Sequence, residues 1–251
     1  MIEVQNLTKT FVDPKNGPLN AVDGASFSSP GGQIFGLIGG NGAGKTTTLR
    51  VLGTMLRPTS GTASVNGFDV VKDSIEVRRS LGFLSTSTAL YARLKPTEML
   101  SYFAELYGLG PKEAKIRIDE LVERLRISEF ADRLCDKLST GQKQKVSIAR
   151  SIIHDPSVII FDEPTTGLDV VTSQLILEFI EDCKAKGKTV ILSTHIMSEC
   201  ERLCDRISII DKGKIMATGT IPELLTQTGQ SNFEKAYLSI IGYDSAAGVA
   251  L

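Results

Sequence analysis

The chain has no tryptophan, only two histidines and four cysteines in 251 residues, and its 28 Lys and Arg nearly cancel its 29 Asp and Glu. Each scarcity excludes something. A formal charge of -1 gives no electrostatic footprint for nucleic acid or for an anionic membrane surface. Apolar runs such as residues 158–161 (VIIF) fall far short of the roughly 20 residues needed to cross a bilayer. The opening Met-Ile-Glu-Val-Gln has neither the basic start nor the apolar stretch of a signal peptide, so a cytosolic chain is expected. Cys135 and Cys183 are isolated, and Cys200 and Cys204 have no further Cys or His close by to complete a metal site. Four free thiols, largely buried, are expected.

What is present is an ordinary globular composition, 41% hydrophobic and 23% charged, in a chain long enough for a domain with a subdomain. Residues 39–46 read GGNGAGKT and fit G-x-x-x-x-G-K-[ST]. Residues 33–38 (QIFGLI) read as a short buried strand running into that loop. Leu49, Leu52, Met55 and Leu56 then keep helical spacing until Pro58. Strand, glycine loop and helix N-terminus together form a phosphate cradle. The glycines let successive N–H groups approach an anion, Lys45 adds charge for the terminal phosphates, and the Thr46 hydroxyl can ligate Mg²⁺.

A second constellation is residues 158–163 (VIIFDE), a buried strand that ends in two carboxylates. At the C-terminal end of a parallel strand these face the crevice that holds the phosphate loop. There Asp162 can hold Mg²⁺, directly or through water, and Glu163 can orient or deprotonate an attacking water. A third is residues 138–142 (LSTGQ), ahead of a helix on which Val146, Ala149 and Ile153 keep spacing. Ser139 and Gln142 form a capping box, and the same exposed helix N-terminus can bind phosphate.

Around these motifs, residues 2–7 alternate like an edge strand, 13–18 read as a hairpin loop, 21–27 as a strand, and 62–65 as a strand leading into the Asn66-Gly67 hairpin signal. Residues 98–107 and 116–125 are amphipathic helices in a stretch, about 91–153, that reads as a helical insertion. His154, before Asp155 and Pro156, is expected to help finish its helix. Strands at 158–161, 189–193 and 207–211 then alternate with helices at 174–186 and 197–205, which implies a largely parallel sheet covered by helices. Residues 226–251 carry no clear signal and are set apart as a short extension to a domain of residues 1–225. Its core and β subdomain take 1–90 and 154–225.

In this order the motifs GGNGAGKT, LSTGQ, VIIFDEP and the lone His195 after TVILST resemble those of the ATP-binding subunits of ABC transporters, over nearly the whole chain. The resemblance implies an α/β fold: a P-loop NTPase (RecA-like) core with a mainly parallel sheet, an N-terminal antiparallel β subdomain and an inserted α-helical subdomain. It implies that Phe11 stacks on adenine and that Gly39, Gly40, Asn41, Gly42, Ala43, Gly44, Lys45, Thr46 and Thr47 cradle the phosphates. Asp162 and Thr46 match the Mg²⁺-associated pair, and Glu163 matches the catalytic glutamate. His195 matches the histidine that contacts the γ-phosphate, and Asp169 lies where a loop crosses between subunits. Ser139, Thr140, Gly141 and Gln142 would close over ATP held by a second copy or a paralogue. The implied chemistry is hydrolysis of ATP with Mg²⁺. The implied partner is an integral membrane permease at the cytoplasmic face of the cell membrane, with no nucleic acid.

Two positions depart from the family. Thr140 stands where glycine is usual. A left-handed backbone there would strain the β-branched Thr, whereas a helical one keeps the N–H; the intact capping box favours the helical reading. Ser85-Thr86 stands where the family generally has Pro-Gln. Thr86 is too short to reach as far as glutamine, so it is not assigned to catalysis; a water bridge could replace the contact. Residues 162–169 and 48–70 resemble ABC-2-type exporter ATPases, and with LSTS at 84–87 they resemble the NatA-like sodium-efflux group. An importer ATPase is the nearest rival. ABC ATPases that act on ribosomes or DNA are disfavoured by the single motif set, the lack of sustained heptads and the neutral charge.

Overall fold

The computed structural model describes residues 1–251 except 16, 86–88, 245–248 and 251. The chain opens with two long antiparallel strands, β1 (Ile2–Asp13) and β2 (Gly17–Ser29). β3 (Ile34–Ile38) then runs into the glycine loop and α1 (Lys45–Leu52). A hairpin of β4 (Ser60–Val65) and β5 (Phe68–Asp69) returns to the first sheet, whose order is β2-β1-β4-β5. Asn66 and Gly67 take φ of 54° and 84°, the turn that matches strand twist.

Two expectations are corrected here. β1 is not an edge strand but lies between β2 and β4. Its alternation reports the burial of Ile2 and Val4 on one face, which says nothing about how many edges are paired. Likewise α1 stops at Leu52, well before Pro58. Thr54 adopts φ of 60°, and the amides of Met55 and Leu56 fold back onto the Arg50 carbonyl, a left-handed helix end that leaves Met55 exposed.

After α2 (Ser74–Ser80) and β6 (Leu81–Leu84) come three helices, α3 (Pro96–Leu106), α4 (Pro111–Arg124) and α5 (Thr140–Ser151), with no strand between them among the described residues. Alternation then resumes with β7 (Val158–Asp162), α6 (Val170–Ala185), β8 (Thr189–Thr194), α7 (Met197–Leu203), β9 (Arg206–Asp211) and β10 (Lys214–Gly219). The second sheet has the order β10-β9-β3-β8-β7-β6 and is parallel except for β10. β3, β7 and β8 are buried along their whole lengths, as strands covered on both faces must be.

One apolar cluster packs the three-helix insertion on this sheet through Met99, Leu100, Phe161, Phe179 and Leu192. A second joins the antiparallel sheet and α1 through Ile2, Phe27, Phe35, Leu37 and Leu49. Each such fully buried side chain is worth roughly 1.5–3 kcal/mol relative to exposure. The C-terminal residues form α8 (Ile221–Thr228) and α9 (Phe233–Ile240), so position 225 falls inside a helix. Thr220 and Glu223 make a capping box with Pro222 in the first turn, and Leu224 and Phe233 are fully buried against Ile38 and Ile207. No described helix is long and apolar enough to cross a membrane.

Candidate nucleotide site

Parallel register brings three chain exits to one edge. Ile38 pairs with Thr194 and Asp162 with Ser193, so β3, β7 and β8 release the glycine loop, Glu163 and His195 side by side. Two of the loop's glycines are steric requirements. A Cβ on Gly39 would lie 2.3 Å from the Ile210 carbonyl, and Gly44, at φ of 109°, would place one 2.5 Å from the Ala21 carbonyl. Gly44 also offers no side-chain cap, so the first amides of α1 stay open. They face a cavity of about 280 Å³ lined by Ala21, residues 40–47, Asp162 and Glu163. Open amides at a helix N-terminus favour an anion.

Lys45 is almost wholly buried at 4% exposure. Its Nζ donates to the carbonyls of Gly39 (2.7 Å) and Gly40 (3.0 Å) and lies 3.2 Å from Glu163 Oε1. Glu163 sits at φ of 50°, a conformation that costs a non-glycine residue about 1–3 kcal/mol. It is held there because its N–H donates to both the carbonyl and the Oγ of Ser193, each at 3.1 Å. His195 Nδ1 approaches the same Oε1 at 3.4 Å. Burial alone would raise the Glu163 pKa, but Lys45 and His195 together hold it below the usual carboxylate range.

Asp162 is 1% exposed. Its Oδ1 accepts from Ser193 Oγ (2.6 Å) and Thr46 Oγ1 (3.3 Å), while its Oδ2 is buried with no partner in the structure. A buried carboxylate oxygen without a donor, beside a threonine hydroxyl, suits a hard cation that prefers oxygen ligands.

Residues 139–142 lie outside this cavity. Ser139 caps α5, accepting from the Gln142 N–H at 3.3 Å, while Gln142 Oε1 accepts from the Ser139 N–H at 3.1 Å. Thr140 is the first helical residue, as the capping box implies, and both Ser139 and Thr140 are exposed. A Cβ on Gly141 would meet Thr172 at 3.1 Å. Thr172 in turn donates to Asp169, the cap of α6, from its N–H (2.9 Å) and its hydroxyl (2.8 Å). Next to this pair Val170 and Val171 are 84% and 74% exposed. The starts of α5 and α6 thus share an outward face. Gln144 ties that face to the cavity by donating to the Pro164 carbonyl at 2.7 Å.

The family described as ABC transporter matches residues 22–166. The chain belongs to that family. The ATP-binding protein NatA of Bacillus subtilis (strain 168) is 39% identical over 95% of this chain and 97% of its own length. The linearmycin resistance ATP-binding protein LnrL of the same organism is 35% identical over all of this chain and 78% of its own. A solved dimeric ATP-binding cassette, in a post-hydrolysis state with ADP and Pi, superposes with a TM-score of 0.80. It is 25% identical and covers 88% of this chain and 98% of its own. The chain is therefore an ABC-family ATPase with a P-loop α/β fold.

For this ABC ATPase, other expected residues fall elsewhere. Phe11 is not part of the cavity wall; it is 42% exposed on β1 with Lys9 Nζ 5.3 Å over its ring, and Ala21 lines the cavity instead. Thr86 lies outside the described residues. His154 does not finish α5: its Nε2 faces the Leu81 carbonyl at 3.2 Å, and its ring stacks on Tyr107 at 3.8 Å and 3°. The cysteines are free thiols, three of them buried. Two residues carried no sequence signal for the site. Ser193 reads as one more position of a buried strand, yet it anchors both Asp162 and Glu163. Tyr237 of α9 meets the Gly40 backbone with its hydroxyl, and burial raises its pKa.

Proposed function

We propose that the chain is the ATP-hydrolysing subunit of an exporter that drives a separate membrane permease from the cytoplasmic face of the membrane, with sodium as candidate cargo. The observation that carries this reading is that the site is half complete within one chain. Lys45, Thr46, Asp162, Glu163 and His195 converge on one cavity edge, while Ser139, Thr140, Gly141 and Gln142 present a helix start to solvent elsewhere. A second copy or a paralogue, facing the first, would bring that helix start over the phosphates. The dimeric likeness supports such a pairing.

In the free chain Lys45 is engaged by Glu163 and two carbonyls. Phosphate oxygens in the cradle would compete for its ammonium and release Glu163 to orient water in line with the γ-phosphate. His195, on the far side of the same carboxylate oxygen, would steady that geometry and contact the phosphate itself. Thr46 and the unpartnered Oδ2 of Asp162 would hold Mg²⁺, which neutralises phosphate charge when bound.

Export is supported by the resemblance of residues 48–70 and 162–169 to exporter ATPases and by the relative named for linearmycin resistance. Sodium rests on the resemblance at residues 84–87. A groove of about 390 Å³ walled by Phe83, Tyr91, Phe103, Tyr107 and Arg150 is the proposed contact for the permease. The test is to recover the tagged chain from solubilised membranes. A stoichiometric multi-span protein whose presence makes ATP hydrolysis respond to sodium is the expected result. Ribosomes or DNA with no membrane protein would overturn the transport reading while leaving the ATPase chemistry intact.

A further inference from the structure

One buried carboxylate has no part in the cavity described above. Glu199, on α7, is 6% exposed and its two oxygens serve two different loops. Oε1 accepts from the Thr165 hydroxyl at 2.5 Å, and Oε2 from the Thr194 hydroxyl at 2.7 Å. Thr165 and Thr194 are themselves 4% and 2% exposed, so neither bond is shared with bulk water. Thr165 follows Glu163 by two positions, and its carbonyl accepts the Leu168 N–H at 3.1 Å in the turn that leads to Asp169. Thr194 immediately precedes His195, and its Oγ1 also accepts the Ile196 N–H at 3.0 Å. Next to Glu199, Cys200 is fully buried in the cluster that holds Ile38, so α7 is a rigid platform.

We propose that Glu199 is a positioning residue for hydrolysis: its carboxylate clamps the loops that carry Glu163 and His195 and sets their mutual spacing. The inference rests on the roles proposed above for those two residues. The geometry makes the case. Glu163 and His195 sit 3.4 Å apart across a single oxygen, yet they leave different strands and are joined by no shared backbone. The peptide of Glu163 is tied to β8 through Ser193, upstream of His195. Glu199 supplies the second tie, downstream of both, so the two exits are pinned on each side of the reacting edge. A charged acceptor strengthens both hydroxyl bonds. Displacing a catalytic group by about 1 Å can cost on the order of 100-fold in rate, so a clamp that touches no substrate can still control turnover.

The test is single-turnover hydrolysis of radiolabelled ATP by the full chain, which reads rates far below wild type. Glu199→Ala is expected to lower kcat about 10- to 100-fold while KM for ATP moves less than about twofold, because the cradle of residues 40–47 does not touch Glu199. Glu199→Gln is expected to recover kcat to within about threefold, since an amide can accept from one threonine and donate to the other. In the His195→Ala background, Glu199→Ala should add little further loss, because both changes remove the same geometry. Independent, multiplying losses would overturn the proposal, as would equal failure of the Gln and Ala variants or a parallel change of kcat and KM that follows lowered thermal stability. If Glu199→Ala does not fold, Thr165→Val removes one bond at nearly constant shape and is judged by the same criteria. An unchanged kcat in His195→Ala alone would instead refute the role proposed for His195, which separates failure of that reading from failure of this one.

Discussion

Two helices of the molecule begin at glycine-containing motifs proposed to meet phosphate, and their starts are satisfied in opposite ways. α1 starts at Gly44 with no side-chain cap, its amides opening inward onto a cavity edged by buried charge. α5 starts at Ser139 with a complete capping box, its first residues exposed to solvent. Both use the partial positive charge of a helix N-terminus. The difference is what satisfies the leading N–H groups before any nucleotide arrives. In α5 a side chain already takes the Gln142 N–H, so that end of the helix is capped from within the chain and only its outermost amides would be open to a ligand held by a second chain. In α1 those groups wait for an anion, and Lys45 is held ready by two carbonyls and Glu163. In the proposed reading, one end is filled by its own chain's ligand and the other would be carried to a second chain's.

The largest effect that would sharpen this contrast is expected from Glu163→Gln. Turnover should fall about 10²- to 10⁴-fold with ATP still bound, and the chain should sediment as a dimer in ATP. Wild-type turnover would remove Glu163 from the water-activating role. In that trapped background Ser139→Ala should cost about 1 kcal/mol of helix stability and weaken the dimer, while ATP affinity of the monomer stays unchanged. A loss of monomer affinity would break the contrast by placing α5 in its own chain's site.

Acid should separate the two regions further. Burial, against the pull of the Leu81 carbonyl, lowers the His154 pKa to about 4. The unfolded chain therefore binds a proton between about pH 6.5 and 4 that the folded chain does not. Stability is constant above that window and falls as pH drops through it, first where His154 stacks on Tyr107 of the insertion. Glu163, with its pKa held low, keeps its ion pair with Lys45 through most of the same range. Hydrogen exchange should show the insertion loosening before the glycine loop, and His154→Phe should remove the dependence. The smallest effect is expected from Thr86→Ala, roughly threefold or less in turnover, against a far larger loss in Asp162→Ala; equal losses would bring Thr86 into the site.

How much of this was legible in the residues depends on how local the signal was. The glycine loop, Asp162 with Glu163, and the Ser139–Gln142 box are contiguous strings whose chemistry shows in their spacing. Ser193 and Glu199 are not legible in this way: each is one polar letter in or after a buried strand, and each has a partner 30 or more positions away in sequence. Phe11 lies exposed on β1, and an aromatic near the start of a strand reveals nothing by itself of the ring it would stack on. The Thr220–Glu223 box with Pro222 could have revealed α8, but it stands next to a tail with weak periodicity.

By itself, then, the amino-acid order determined the phosphate cradle, the carboxylates at the end of β7, the parallel sheet and the helical insertion, because strand period, glycine freedom and helix capping are all settled within a few residues. The tertiary structure alone decided that β1 lies inside its sheet, that α9 packs behind Gly40, and that Glu163 is held at a strained φ between Lys45 and His195. Those outcomes depend on which strands become neighbours. That choice is made by the burial of whole faces and not by any short stretch of chain.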